Sequence, residues 1–386
     1  MRRQKRILAG SALALGMVMV ITIGTPIASF ASGASPGTDR SSSHPFLSTL
    51  GHLTTIGSTV PANGDVNPYG VAVIDASAGR LVRGDTLVSN FNDAANVQGT
   101  GRTLVEVSPK GKQTLFAKIT SLPSGQHCPG GVGLSTALAV LPGGWVVVGS
   151  APAAGPSGNP ASTNPNGCLI VLNSVGHVIE TWSNPSINGP WDLTSSFQGA
   201  SGSIFVSNAF SRPAVLRNLP SSGLCSVVRL NVVLGHGAPR VTSSTIVGRG
   251  FPWRVNHSTF VLAPTGVALS RSGTLYVAET IGNRITSIPN ALTRSTSVVD
   301  GSSTLTHGGA LNAPLGLVMA PNGDLIATNG NDGIATEISP QGRQIATATL
   351  VSNGAGTLFG IAISLDGHGL VFVNDGKNQL DADAAR

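Results

Sequence analysis

The sequence predicts an all-β fold, a six-bladed β-propeller of four-stranded blades whose ring is closed by an N-terminal strand. Composition gives the first reason, since 50 of the 386 residues are Gly, 24 are Pro and 41% are hydrophobic. Such a chain has many turns and enough apolar side chains for a large core. Only 10% of the residues are charged, against about 25% in an ordinary soluble domain. Amphipathic surface helices are therefore disfavoured, because their exposed faces need charged residues.

The second reason is an internal repeat. Each copy has a short apolar strand that opens with Gly or a similar residue, a Gly-containing turn, and a second apolar strand that ends on a small polar or amide residue. In most copies a polar loop and two further strands follow, and four strands at this spacing are the signature of a propeller blade. The first strands of the six copies are GVAV (70–73), ALAV (137–140), WDLT (191–194), GVAL (266–269), GLVM (316–319) and GIAI (360–363).

Closure of the ring is predicted from the two ends of the repeat. The sixth copy stops soon after Leu380, which leaves it without an outer strand, whereas the apolar segment 52–60, HLTTIGSTV, has no blade of its own. A closed ring avoids long unpaired strand edges, so this segment is expected to complete the sixth blade. The propeller is expected over residues 46–386, with blades that begin near residues 67, 134, 188, 263, 313 and 357.

Residues 1–31 are predicted to be an export signal. Four basic residues lie within the first six, before an uncharged and mostly apolar run over residues 7–24, and small residues near Ala31 offer a cleavage site. An uncleaved membrane anchor is the alternative, because this run is close to the shortest length that spans a bilayer. Both alternatives predict a secreted or cell-surface protein. Residues 32–45 are expected to be a disordered polar linker.

The formal charge of +6 is concentrated in this leader. Cleavage after Ala31 would leave 19 of the 23 basic residues against 17 acidic ones, because four basic and no acidic residues precede it. No cluster of Lys and Arg remains, so nucleic-acid binding is disfavoured as a function. A closed propeller ring is often self-sufficient, so a monomer is expected.

The three cysteines are Cys128, Cys168 and Cys225. In an oxidising compartment this number predicts one disulfide and one leftover thiol. Cys128 and Cys168 are the preferred pair because both lie in the second repeat, and three unpaired thiols are the alternative. No spacing of Cys and His residues indicates a zinc site.

The fourth copy, PTGVALSRSGTLYVAETIGNRITSI (264–288), resembles the NHL repeat, which has a P-x-G-hydrophobic opening and a later acidic–x–x–x–Asn-Arg-Ile run. The matching residues of that run are Val277, Ala278, Glu279, Asn283, Arg284 and Ile285. The fifth copy keeps the opening but has Asp332 and Gly333 in place of Asn-Arg. The resemblance implies a six-bladed propeller of the NHL and gluconolactonase-like kind in an exported bacterial protein. It says little about activity, because propellers host many functions.

The second strands of the copies end on polar residues that are expected to surround the central channel on one face. Carboxylate and amide oxygens there suit a hard cation such as Ca²⁺. Gluconolactonase-like propellers use a comparable Glu, Asn and Asp set, so the resemblance implies one divalent cation held by Glu279, Asn208, Asn329 and Asp375. The alternative is that these side chains cap their own turns. The family's first-blade Glu has no counterpart in residues 61–80.

Other candidates are drawn from the loops around the channel. His127 and His307 lead into the second and fifth blades and are candidate catalytic groups together with Glu279, because streptogramin lyase, a propeller of this general type, uses His with Glu and a metal. Solvated loop histidines are the alternative. Trp191 is expected either to stack on a ligand or to pack in the core. The candidate ligand-binding residues are Asn90, Asn92, Trp191, Asn208, Asn329 and Asp375.

Two classes of function follow from these expectations. The first is an exported binding module that takes a small molecule, a glycan or a surface protein through its channel-mouth loops. The second is a divalent-metal-dependent hydrolase or lyase, gluconolactonase-like or streptogramin-lyase-like, that acts on a lactone or cyclic substrate. The missing first-blade Glu and the scarcity of carboxylates favour the binding module.

Overall fold

A computed structural model describes residues 44–151, 166–210, 225–256, 260–300 and 302–386. The predicted export signal and all but the last two residues of the predicted linker lie outside these ranges. The described residues form six blades around a central channel, which confirms the predicted all-β six-bladed propeller. Within them, no helix has the length and apolar character needed to cross a membrane.

The described chain begins with a short helix and one strand before the first three blades. These elements are α1 (Phe46–Thr49) and β1 (Leu50–Ser58). The first blade contains β2 (Val66–Val73), β3 (Thr86–Asn92), β4 (Thr103–Val107) and β5 (Gln113–Lys118). The second contains β6 (Leu134–Leu141), β7 (Trp145–Ser150), β8 (Cys168–Leu172) and β9 (Val178–Trp182). The third contains β10 (Pro190–Gln198), β11 (Ser201–Asn208), β12 (Cys225–Val233) and β13 (Arg240–Phe251).

A small two-stranded sheet, β14 (Arg254–Asn256) and β15 (Phe260–Leu262), connects the third and fourth blades. The fourth blade contains β16 (Pro264–Leu269), β17 (Leu275–Glu279), β18 (Arg284–Ile288) and β20 (Thr304–His307), and β19 (Val298–Val299) pairs with β13 of the third blade. The fifth contains β21 (Pro314–Met319), β22 (Leu325–Asn329), β23 (Ile334–Ile338) and β24 (Gln344–Thr349). The sixth contains β25 (Leu358–Ile363), β26 (Gly369–Asn374) and β27 (Gln379–Ala385), with the 3₁₀ turn η1 (Asp375–Lys377).

The first strands of the six blades surround the channel and contact one another in ring order. Each first strand begins where the second strand of its blade ends, because the two strands run antiparallel. Pairs of this kind include Pro68 with Asn90, Pro190 with Asn208 and Pro314 with Asn329. The starts of the first strands and the ends of the second strands therefore lie on one face of the propeller, which we call the site face.

The ring is closed by the N-terminal strand, as the sequence predicts. Strand β1 is the outermost strand of the sixth blade, and it pairs antiparallel with β27 from Leu50 opposite Ala385 to Ser58 opposite Gln379. Helix α1 fixes the approach to this strand, because the backbone N–H groups of Phe46 and Leu47 donate to the two carboxylate oxygens of Glu337 at 2.7 and 2.8 Å. Since Glu337 belongs to β23, the N-terminal segment ties the fifth and sixth blades together.

The disulfide joins Cys128 to Cys168, which confirms the preferred pairing. In the chain-entropy account, a bridge across 40 residues of sequence stabilises the fold by roughly 4 kcal/mol. Cys225 is a buried free thiol, and its burial raises the pKa of that thiol.

Glycines allow the first strands to lie so close together. A Cβ atom added to Gly360 would overlap the backbone oxygen of Tyr69 in the first blade, and one added to Gly266 would overlap the backbone oxygen of Leu315 in the fifth. The glycine at this position of the repeat is therefore explained by blade-to-blade contact.

We expect Gly360→Ala to lower the free energy of unfolding by about 1–3 kcal/mol, the usual cost of adding a methyl group to a packed interior. Gly235→Ala is the matched control, because a Cβ there would meet no atom within 4 Å. The two variants are compared with the parent protein by denaturant unfolding. Equal stability of the two variants would show that the glycine is not needed for ring closure.

Candidate functional site

The carboxylate of Glu279 is engaged within its own blade. Glu279 is fully buried at the end of β17, and both of its oxygens accept the backbone N–H of Gly282 at 2.9 Å. The guanidinium of Arg284 lies 3.4 Å from it and also pairs with Asp300. Burial raises the pKa of Glu279, and the Gly282 N–H and Arg284 partly oppose this rise. The acidic and Arg positions of the repeat motif thus form one structural ion pair.

The amides of Asn208 and Asn329 fasten the loops that enter their blades. The Oδ1 of Asn208 accepts the backbone N–H of Asn188 at 2.9 Å, and the Oδ1 of Asn329 accepts that of Asn312 at 3.0 Å. Both Nδ2 groups donate to backbone oxygens of the same loops. Each amide thus holds the loop that enters its blade and not the turn that follows its own strand.

The four predicted metal ligands do not fit a Ca²⁺ site, which takes about six to eight oxygen ligands. Three of them already direct their oxygens at backbone N–H donors. Asp375 differs, because it lies half-buried at the start of η1 and burial alone raises its pKa to about 6. In the described part of the chain, no group of three His, Cys, Asp or Glu side chains is placed to hold a metal ion.

Asn90 and Asn92 are buried in the first blade. The Nδ2 of Asn90 donates to the backbone oxygen of Thr59 and to the hydroxyl of Thr103, and the Nδ2 of Asn92 donates to Asn96. Both amides therefore hold local loops.

The two candidate histidines are not at the channel mouth. His307 is an exposed residue of β20, the outermost strand of the fourth blade. The backbone N–H of His127, also exposed, bonds to Thr181 in β9, the outermost strand of the second blade. Three strand spacings, about 14 Å, separate an outermost strand from the first strand of its blade. The expectation that these residues reach the channel is therefore corrected.

Aromatic side chains lie at the site-face end of the channel. Tyr69 contacts Phe359 with ring centroids 4.3 Å apart and Phe91 at 5.1 Å. Trp191 meets Tyr69 and Phe91 edge-on at 5.6 Å, and only 1% of its surface is exposed. Trp191 thus packs in the core, and its indole N–H bonds to the Tyr69 hydroxyl.

Tyr69, Trp191 and Phe359 border a cavity of about 170 Å³ in the channel, and first strands of all six blades line it. The volume is enough for about ten water molecules, since one water needs about 15 Å³ by this measure. Polar and apolar atoms contribute almost equally to the exposed lining. The lining side chains with polar groups belong to Tyr69, Thr136, Trp191, Asp192, Thr194 and Thr265.

Asp192 is the only charged residue in the six first strands, all of which the structure describes. Its Oδ2 accepts the backbone N–H of Val267 at 3.0 Å, and its Oδ1 accepts the hydroxyl of Thr136 at 3.3 Å. The backbone N–H of Leu193 is a further donor to the carboxylate. Asp192 thus connects the third blade to the second and the fourth.

Burial dominates the electrostatics of Asp192. It raises the pKa of the carboxyl to about 7, against the opposing effect of the three donors. No cation neutralises this carboxylate in the described residues, where the two ion pairs both belong to Arg284. Burial and the charges of Asp375 and Asp192 also raise the pKa of the neighbouring Tyr69 hydroxyl.

Comparison with known proteins shows a shared fold. No protein-family model and no curated protein sequence matches the chain. A gluconolactonase from Xanthomonas campestris is 16% identical, with a TM-score of 0.56 over 88% of this chain and 91% of that chain. A calcium-binding regucalcin from Agrobacterium tumefaciens is 14% identical, with a TM-score of 0.52 over 86% and 93%. A streptogramin B lyase is 14% identical, with a TM-score of 0.49 over 87% and 98%.

The likeness is one of fold. At these identities it places the chain beside gluconolactonase-like six-bladed propellers and assigns no activity to it. A function for this chain therefore depends on the residues that line its channel.

Asp192 is the site residue that the sequence analysis missed, although a signal for it was present. The third copy opens with Pro190-Trp191-Asp192-Leu193, where the fourth opens with Pro-Thr-Gly-Val. A carboxylate therefore occupies the glycine position of the P-x-G motif, at the approach of neighbouring blades. The charged residue of the channel is therefore found at this substituted glycine position and not at the end of a second strand.

The raised pKa of Asp192 predicts a dependence of stability on pH. The folded state holds the proton of Asp192 more tightly than the unfolded chain does. The contribution of this group to the free energy of unfolding is therefore complete below about pH 4 and is lost as pH rises through about 7, by about 4 kcal/mol in all. Asp192→Asn removes this loss, so its free energy of unfolding should improve relative to the parent as pH rises.

Denaturant unfolding at several pH values measures this difference, with Asp75→Asn at an exposed site as the control. A pH-independent cost of the Asn side chain cancels in the comparison. A gap between variant and parent that stays constant from acid to alkaline pH would contradict the assignment.

Proposed function

We propose that the protein is a binding module that takes a small organic ligand into the site-face end of its central channel. The cavity of about 170 Å³, with apolar and polar groups in similar measure and one half-buried carboxylate, carries this proposal. Ligand sites in proteins are typically concave, mostly apolar and supplied with a few well-placed polar groups.

The cost of Asp192 supports a role in binding. A partly desolvated carboxylate without a cationic partner lowers stability, and hydrogen bonds offset only part of this cost. A neutral residue in its place would favour the fold. Groups whose pKa is strongly perturbed by burial concentrate at functional sites for this reason.

The size of the cavity favours a small molecule over a glycan or a surface protein as the ligand. The export signal predicted from residues 1–31 would place this binding outside the cytoplasm, on a secreted or cell-surface protein. We propose a monomer as the binding unit, because first strands from all six blades of one chain complete the cavity.

Hydrolysis of a lactone is the second candidate, since one similar structure is a gluconolactonase. The side-chain oxygens of Glu279, Asn208 and Asn329 already accept hydrogen bonds from backbone N–H groups, which does not favour binding of a divalent metal. We therefore expect no release of product from aldonolactones with or without added Ca²⁺, and no change of melting temperature in EDTA. Turnover that EDTA abolishes would replace the binding module with the metal-dependent enzyme.

The binding module is tested by screening a fragment library against the full chain by NMR. The reporter is the indole N–H resonance of Trp191, assigned with a Trp191→Phe variant. Fragments that bind in the channel should shift this resonance, with dissociation constants in the millimolar range or tighter.

Ala362→Leu should abolish the shift, because Ala362 lines the cavity and the larger side chain fills it. Ala384→Leu, at an exposed position of β27, is the matched control and should bind like the parent. Binding that persists in Ala362→Leu, or a library without any channel binder, would refute the proposal.

A further inference from the structure

We propose that the channel ligand is a small organic cation, a protonated amine whose ammonium group pairs with Asp192 beneath the aromatic side chains of the mouth. This inference rests on the proposed binding function and adds the chemical class of the ligand. It is carried by the hydrogen-bond donors around Asp192, the charges that face the cavity, and the rings that border it.

The partners of Asp192 show which kind of ligand atom can meet it. Val267, Leu193 and Thr136 all donate to the carboxylate, so its protein neighbours are suited to the ionised form. An ionised carboxylate has about four lone-pair sites, so these three donors leave about one for a ligand. That site accepts a hydrogen bond. An ammonium group donates such a bond. A carbonyl or phosphate oxygen is itself an acceptor and would be repelled by the carboxylate.

The charges around the cavity favour a cation. Among the elements that face Asp192, β2 supplies Tyr69 as its titratable group, and β6, β11 and β16 contain no titratable residue. Beyond Tyr69 lies Asp375, which adds a second acidic group to this end of the channel. No Lys, Arg or His belongs to the six first strands, all of them within the described residues. Anions are therefore repelled from this cavity.

The remaining lining suits the other parts of such a ligand. Tyr69, Trp191 and Phe359 line the same cavity as Asp192, and the faces of aromatic rings attract cations. Leu138, Leu193 and Ile361 provide apolar surface for a hydrocarbon body. A compact primary amine with a hydrocarbon ring matches this combination.

The test compares cyclohexylammonium with cyclohexanol, which has nearly the same shape without the charge. Titrations of the full chain near pH 8 are followed by calorimetry and by the Trp191 indole resonance. We expect the amine to bind at least about tenfold more tightly than the alcohol, because a hydrogen bond to a charged group usually contributes at least this much to affinity. Asp192→Asn should remove this preference, and Asp75→Asn should keep it.

The pH profile of the parent protein tests the same inference without a variant. The amine stays protonated across this range, so its affinity should follow the ionised fraction of Asp192. Between about pH 5.5 and about pH 8 that fraction rises about thirtyfold for a pKa of about 7, and the affinity should rise with it. The affinity of cyclohexanol should not rise.

The outcomes separate this inference from the function on which it rests. If neutral fragments bind in the channel while the amine binds no better than the alcohol, the binding module stands and the cationic ligand is wrong. An affinity for the amine that is flat with pH, or unchanged in Asp192→Asn, would also overturn the inference. If no fragment of either kind moves the Trp191 resonance, the binding function itself fails.

Discussion

The close approach of six first strands around the channel is the constraint on which the rest of the structure depends. Glycines allow this approach in the first, fourth, fifth and sixth blades, and in the first, fourth and fifth they belong to the P-x-G opening. The third blade has Asp192 at the same position. The packing that closes the ring therefore also places a carboxylate among the backbones of its neighbours, where N–H and hydroxyl groups donate to it and no cation of the described residues pairs with it.

This placement explains how a nearly neutral propeller can have one strongly polarised site. Glu279, by contrast, is engaged with its own loop through Gly282 and Arg284. Asp192 faces a cavity that the protein itself does not neutralise. The free energy lost in burying this charge is recovered only when a partner supplies a donor or a positive charge, which links the stability of the channel to its occupancy.

Features that repeat along the chain could be predicted from the sequence, because each blade shows the same apolar spacing. The position of β1 and the Cys128–Cys168 bridge followed from which blade lacked a strand and which repeat held two cysteines. The roles of Asn208 and Asn329 could not be predicted, since their oxygens bond to N–H groups some 20 residues earlier in the chain. Asp192 was missed because the search for the repeat identified residues that match the motif. Asp192 departs from the motif, since it stands where other copies have Gly.

The most direct test of the account is the titration of the Asp192 carboxyl itself in the ligand-free protein. Its ¹³C resonance can be assigned with Asp192→Asn and followed from acid to alkaline pH. We predict a midpoint near pH 7, as burial without a cationic partner requires. A midpoint near the ordinary aspartate value of about 4 would show that the carboxylate is solvated or neutralised. The channel would then lack the charge on which the ligand assignment depends.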